Sequence, residues 1–256
     1  MLHWHCHDLF QHMPPAATVG GIAVVLDVLR ASTTIATALA AGAAAVRPVA
    51  TVADARSLAA RLGAAAILGG ERGGLRIDGF DLGNSPGEYA ADRVAGRTVV
   101  ITTTNGTLSL AACAAAREVL VGAIVNRSAV AAVARLLAEA GGIGHVHLVC
   151  AGTDGLVSAE DVLAAGAILD AAARAPAAAD DRLDAAALAA RDDFRRLAAA
   201  RPADVPAALE QAFVTSPGGA NLVALGMADD LGRCARIDAL DLVPRLDRAS
   251  GDVRRA

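Results

Sequence analysis

The sequence has no lysine, one tryptophan, one tyrosine and four phenylalanines among its 256 residues. All 23 basic residues are arginines, and the net charge is −4. With no basic block anywhere, no stripe marks a face that would track a phosphate backbone, so nucleic acid is excluded as a partner. No window offers the roughly 18 consecutive apolar residues of a membrane span. The N-terminus carries His and Asp where a signal peptide would need a basic patch and an apolar run. Cys6, Cys113, Cys150 and Cys234 are scattered, with no Cys-x-x-Cys pair, and read as reduced, buried thiols. These absences describe a cytoplasmic protein with no membrane partner.

What is present is 55% hydrophobic residues, mostly Ala, Val, Leu and Ile, which suit helices lying close on a parallel sheet. Short apolar runs at 22–26 and 98–101 have the pattern of strands buried on both faces, and strands are also expected at 118–123 and 145–150. Further strands are expected at 43–50, 65–68 and 237–243, with helices between. The expected fold is α/β, a three-layer α/β/α arrangement on a largely parallel or mixed sheet. Residues 1–256 form a single unit or two linked subdomains, about 1–125 and 126–256. Thr51-x-x-Asp54 and Ser158-x-x-Asp161 read as capping boxes, and Ser216-Pro217 as the start of a final helix. The Ala-, Asp- and Arg-rich stretch 172–210, with Pro176, Pro202 and Pro206, reads as a linker with solvent-exposed helices. His3, His5 and His7 alternate and would share one face of an edge strand, a reading preferred to a metal site. The Ala/Leu-rich composition is compatible with a homodimer.

Unusual polar residues gather where the apolar runs end. The first run closes on Asp27-Val28-Leu29-Arg30, followed by Ser32-Thr33-Thr34 and a helical stretch to Ala41. An acid ending a buried strand must find a cation, a donor or water. Asp27 and Arg30 are therefore candidate site residues; the alternative is a structural Asp27–Arg30 ion pair with Ser32 as helix cap. The run at 65–68 leads through Gly69-Gly70 into residues 71–89, ERGGLRIDGFDLGNSPGEY, with five glycines, Asp78, Asp81 and the turn Asn84-Ser85-Pro86. The run at 98–101 opens into Thr102-Thr103-Thr104-Asn105-Gly106-Thr107, where hydroxyls and backbone N–H groups can seat an anion; capping alone is the alternative. The run at 145–150 ends in Ala151-Gly152-Thr153-Asp154-Gly155.

In an open parallel sheet these strand ends share an edge and converge on one crevice. Acids there suit Mg2+, which takes oxygen ligands, and arginine suits an oxyanion. The combination reads as phosphate-ester chemistry. A Walker loop is absent, since no Gly-Lys-Ser/Thr occurs. Leu29 stands where a haloacid-dehalogenase-type phosphatase needs its second Asp, and Leu156 where a Cys-x5-Arg phosphatase needs its arginine.

The segments VVLDVLRASTTI, GERGG…GFDLGNSPGEY, TTTNGT and CAGTDG…SAEDVLAAG, in this order, resemble the 2-phosphosulfolactate phosphatase family. SPGGANLVALGMADDLGRCARIDALDLVP resembles that family's C-terminal stretch, while 172–210 and the His-rich N-terminus fall outside the likeness. The resemblance implies a Mg2+-dependent phosphatase that converts 2-phospho-3-sulfolactate to sulfolactate on a route to coenzyme M. Its substrate is then a small anionic phospho-acid. On that footing Asp27 holds the metal with Glu71 or Asp161, or is itself the nucleophile. Arg30 and Arg72 grip the anion, Thr103, Thr104, Asn105, Gly106 and Thr107 cradle phosphate, and Asn84 and Ser85 orient the acid end. Asp81 is the candidate proton donor or water-activating base. A phosphatase of the same fold for another phospho-acid, or a non-catalytic anion-binding homologue, are the alternatives.

Overall fold

The computed structural model describes residues 1–14 and 16–256. The first half runs β1 (His3–His7), β2 (Ile22–Leu26), α1 (Ala31–Ala40), β3 (Ala45–Pro48), α2 (Val52–Leu62), β4 (Ala66–Arg72) and β5 (Leu75–Arg76). It continues through α3 (Ala91–Val94), β6 (Thr98–Thr102), α4 (Gly106–Ala112) and β7 (Glu118–Gly122). The second half holds α5 (Arg127–Gly141), β8 (His145–Cys150), α6 (Ala159–Ala172), β9 (Arg182–Leu183) and α7 (Ala185–Ala200). The chain ends with α8 (Val205–Val214), α9 (Pro217–Ala224), α10 (Asp229–Cys234), β10 (Pro244–Leu246) and β11 (Val253–Arg255). The four free cysteines are buried. Among the described residues, no helix is long and apolar enough to cross a membrane.

The strands form one mixed, mostly parallel sheet in the order β5-β4-β6-β3-β11-β10-β7-β2-β8-β1-β9. β4, β6 and β3 are mutually parallel, and so are β7, β2, β8, β1 and β9. The hairpin of β10 and β11 joins these two blocks by antiparallel pairs, Arg245 opposite Leu120 and Val253 opposite Val46. Counted through that hairpin, the blocks run in opposite senses. On a flat sheet their C-terminal ends would lie on opposite edges, not on the shared edge expected of a parallel sheet. Sheets twist, however, and about 20–25° per step over the six steps from β4 to β2 accumulates to on the order of 120–150°. The loops after β2 and β4 meet at the start of α1, where Arg30 Nη2 bonds the Gly74 carbonyl.

Helices cover both faces. Ile22, Val24, Leu26, Leu148, Trp4 and Cys6 face Val130 and Ala134 of α5, Ile168 and Leu169 of α6, and Ala187 and Ala190 of α7. On the other face, Ile35 and Leu39 of α1 share one core with Val25 and Val121 from one block and Val46, Val99 and Ile101 from the other. α1 thus packs against both blocks and holds them in register with each other.

Several expectations need correction. The stretch 172–210 is not a linker: α7 lies against α6, with Ala187, Ala190 and Phe194 buried. β1 is not the edge strand, since two-residue β9 pairs along its outer side. No strand forms at 237–243; Leu240 instead donates its N–H to the Val125 carbonyl, and the pairing strands come later. Of the Thr51 box the N-cap half is present, the hydroxyl accepting from the Asp54 N–H at 3.0 Å. The Ser158 box is not, because Ser158 makes no side-chain cap and Asp161 has other partners.

Candidate active site

The long connection after β4 is partly ordered by a hairpin. β4 continues through Arg72, turns at Gly73-Gly74 (φ 59° and 85°) and returns as β5. Two successive positive φ values are those of a two-residue hairpin turn, and only glycine adopts both without strain. The turn brings the Gly74 N–H to Glu71 Oε2 at 2.8 Å and its carbonyl to Arg30 Nη2 at 2.7 Å. Glu71 Oε1 accepts from both the N–H and the hydroxyl of Thr104, at 2.7 and 2.9 Å. One buried carboxylate thereby locks the end of β4 to the loop after β6.

Asp27 sits at the end of β2. Its N–H donates to the Ser32 hydroxyl at 2.9 Å, and its Oδ1 accepts from the Ala31 N–H at 3.2 Å. Ser32 therefore serves the Asp27 backbone and does not cap α1. A side chain on Gly106 would come within 2.7 Å of Asp27 Oδ2, so glycine is what lets α4 close over this carboxylate. Burial pushes the Asp27 carboxyl up to about 7; the charges of Glu71 and Glu160 push the same way, against the Ala31 N–H and Arg30.

Arg30 is not paired with Asp27. Its guanidinium is 2% exposed and bonds Asp230 Oδ2 at 2.7 Å, with Met227 Sδ at 3.1 Å. Asp230 Oδ1 accepts from the Ser85 hydroxyl at 2.6 Å. One ion pair therefore ties the start of α1, the turn at 84–86 and α10.

These groups open on a cavity of about 110 Å³. Of the residues singled out from sequence, Asp27, Arg30, Glu71, Asn84, Thr104 and Asn105 line it. Thr103, Gly106 and Thr107 stand behind the wall; the Thr103 hydroxyl accepts from the Thr107 N–H at 3.2 Å, so this part of the expected cradle is occupied by its own chain. Ser85 reaches Asp230, not the cavity. Asp161 is buried, its two oxygens accepting from the N–H groups of Val28 at 2.8 Å and Gly152 at 3.0 Å. It ties the ends of β2 and β8 together, and burial followed by the charges of Asp27 and Glu160 raises its carboxyl well above the ordinary range. Arg72 turns to the Thr102 hydroxyl at 3.0 Å and its neighbour's carbonyl. Asp81 is exposed and accepts from the Leu68 N–H at 2.8 Å. Neither Arg72 nor Asp81 lines the cavity.

Sequence reasoning missed Asp230, which holds Arg30, and Asn221 and Gly218, which line the cavity from the C-terminal helices, and gave no role to Asp154 in its lining. The signal available was the Ser216-Pro217 cap: the Ser216 hydroxyl accepts from the Gly219 N–H at 3.0 Å and starts α9 beside the cavity. Among the described residues, no three His, Cys, Asp or Glu side chains are arranged to hold a metal ion. The donor set still fits a hard dication that keeps water ligands. Asp27 and Glu71 supply oxygens, and Asn84 Oδ1 is buried without a partner. A dication at Asp27 would offset the burial, and the Glu71 and Glu160 charges, that raise its carboxyl.

Carboxylates and a held arginine thus line one small cavity where strand ends of an α/β sheet converge. A family model described as 2-phosphosulpholactate phosphatase matches residues 9–249, a span that includes 172–210. A protein of Carboxydothermus hydrogenoformans named "Probable 2-phosphosulfolactate phosphatase" is 40% identical over 221 residues, 86% of this chain and 84% of that one. One of the same name from Symbiobacterium thermophilum is 41% identical over 238 residues, 91% and 94% of the two chains. Another from Deinococcus radiodurans is 40% identical over 226 residues, 88% and 87%. The chain belongs to the 2-phosphosulpholactate phosphatase family, which is by name a family of phosphoric monoester hydrolases.

Proposed function

We propose that the protein is a cytoplasmic, Mg2+-dependent phosphatase that hydrolyses 2-phosphosulfolactate to sulfolactate and phosphate, a step toward coenzyme M. The observation that carries this reading is the meeting of Asp27, Glu71, Arg30 and Asn84 on one cavity, in a chain of this family. Asp27 and Glu71 would hold Mg2+, with Asn84 Oδ1 as a neutral oxygen donor; the ion supplies positive charge against the phosphoryl oxygens. Arg30 adds a second positive charge fixed in place by Asp230, and a charge that need not reorganise is worth most to a transition state. Asn221, in the middle of α9, lines the same cavity beside the Gly73-Gly74 turn, where its amide can bond the acid end of the substrate. Asp154, which lines the cavity where Asp81 does not, would then be the carboxylate that takes a proton from the attacking water.

The test is phosphate release from a panel of phospho-acids, with Mg2+ and with chelator. This reading expects 2-phosphosulfolactate to be the best substrate and chelator to stop turnover. Faster release from another phospho-acid would move the assignment to that substrate. No release from any of them would leave an anion-binding homologue.

A further inference from the structure

β1 and β8 each carry histidine at alternate positions, and their parallel register sets His3 beside His145 and His5 beside His147. Alternation sends Trp4 and Cys6 into the core and leaves His3, His5, His7, His145 and His147 on the other face. The rings stack across the strands, His5 on His147 at 4.7 Å between centroids and His7 on His147 at 5.4 Å. Two pairs of ring nitrogens face each other: His5 Nε2 and His145 Nδ1 at 3.0 Å, and His7 Nε2 and His147 Nδ1 at 3.1 Å. None of these residues lines the cavity described above.

We propose that the His5–His145 pair is a binding site for a transition-metal dication of the Ni2+ or Cu2+ class. Three observations support it. First, Asp184 Oδ2 lies 3.3 Å from His5 Nδ1. A carboxylate at that nitrogen holds its proton there and leaves the Nε2 lone pair pointing at His145, the tautomer a metal ligand needs. Asp184 is itself held, because its Oδ1 accepts from the Ala187 N–H at 2.7 Å at the start of α7. Second, two nitrogens each about 2.1 Å from a metal and about 90° apart are themselves about 3.0 Å apart, whereas a tetrahedral angle would spread them to about 3.4 Å. The observed 3.0 Å is the length of the hydrogen bond between the rings and also matches the cis spacing of a tetragonal or octahedral centre, so a Cu2+ or Ni2+ ion can replace that bond without the strands moving. Third, His145 is exposed and His5 and His3 are half-buried, so the pair is open to an ion and its remaining water ligands. The His3 ring, 5.3 Å from that of His145, is within a side-chain rotation of becoming a third donor. A dication takes the place of the shared proton, which His145 carries on Nε2 instead of Nδ1 once the metal is bound, so both rings remain neutral imidazole ligands.

Calorimetric titration of the full chain with Ni2+ tests this, with melting temperature as a second readout. To separate the site from the proposed Mg2+ centre, the same titration is run on Asp27→Asn. Wild type and Asp27→Asn should each take up Ni2+ at one tight site and melt at a higher temperature with it. His5→Ala and His145→Ala should each weaken that uptake by more than about tenfold, and Asp184→Asn by about tenfold through the lost orienting bond. The exposed His12, away from β1 and β8, serves as control, and His12→Ala should change nothing. No uptake by the wild type would overturn the proposal. So would uptake that survives His145→Ala, or that disappears in Asp27→Asn.

Discussion

Replacing Asp230 by Ala should be the most damaging single change outside the cavity wall. Arg30 and Asp230 are 2% and 4% exposed and 2.7 Å apart, so neither charge has water to fall back on. Removing one partner of a buried pair typically costs about 3–5 kcal/mol, against roughly 0–1 kcal/mol for a surface pair. Arg30 would keep the Gly74 carbonyl at 2.7 Å, which favours the lower end, while the Ser85 hydroxyl would lose its acceptor and add about 1 kcal/mol. A loss of about 4 kcal/mol is a shift of almost a thousandfold in the folding equilibrium. Urea unfolding followed by the fluorescence of Trp4, the only tryptophan, measures it. The double change Arg30→Met with Asp230→Leu should recover most of that stability, because it removes both charges from the core. Turnover should not return with it, since the guanidinium is gone. A loss below about 1 kcal/mol in Asp230→Ala would refute the reasoning and make the pair a solvated one.

Asp81→Asn should leave turnover within about twofold of wild type, because its carboxylate serves the Leu68 N–H away from the cavity; a collapse of kcat would restore it as base. Gly166→Ala should destabilise by about 1–3 kcal/mol in thermal unfolding, since a Cβ there would lie 2.0 Å from the Ala190 carbonyl oxygen; an unchanged Tm would mean α6 and α7 part easily. Asp181 gives a pH signature. Burial alone would raise its carboxyl, but the Arg135 guanidinium, the Leu2 N–H and the Trp4 indole outweigh it and hold it below the ordinary range. Its contribution is complete above the unfolded value near 3.8 and is lost as pH falls through the depressed folded one. The acid limb of the stability curve should therefore flatten in Asp181→Asn, and an identical limb would contradict the assignment.

What could be read from the sequence was local. The Thr51 and Ser216 caps bond groups three residues away, and the apolar runs at 22–26 and 98–101 declare their own burial. What could not be read depends on partners far along the chain. The pairing of Arg30 with Asp230 spans 200 residues, and a nearby Asp27 offered an equally good charge. Asp161 looked like half of a capping box, yet it bonds Val28 across 133 residues. α7 is polar enough to pass for a solvated helix; only Ala187, Ala190 and Phe194 betray its buried stripe, and small residues give that stripe little contrast. The convergence of strand ends was expected for the wrong reason. It occurs between two blocks joined by the β10–β11 hairpin, whose three-residue strands are too short to announce themselves.

The central claim is that Asp27 stands at the reacting centre of a Mg2+-dependent phosphatase. Phosphate release from 2-phosphosulfolactate, measured against Mg2+ concentration for wild type and Asp27→Asn, tests it most directly. If Asp27 is a ligand, the variant should be slow at ordinary Mg2+ and partly recover as Mg2+ rises; if it is the nucleophile, no concentration should restore turnover. Near-normal turnover of Asp27→Asn at ordinary Mg2+ would contradict the account.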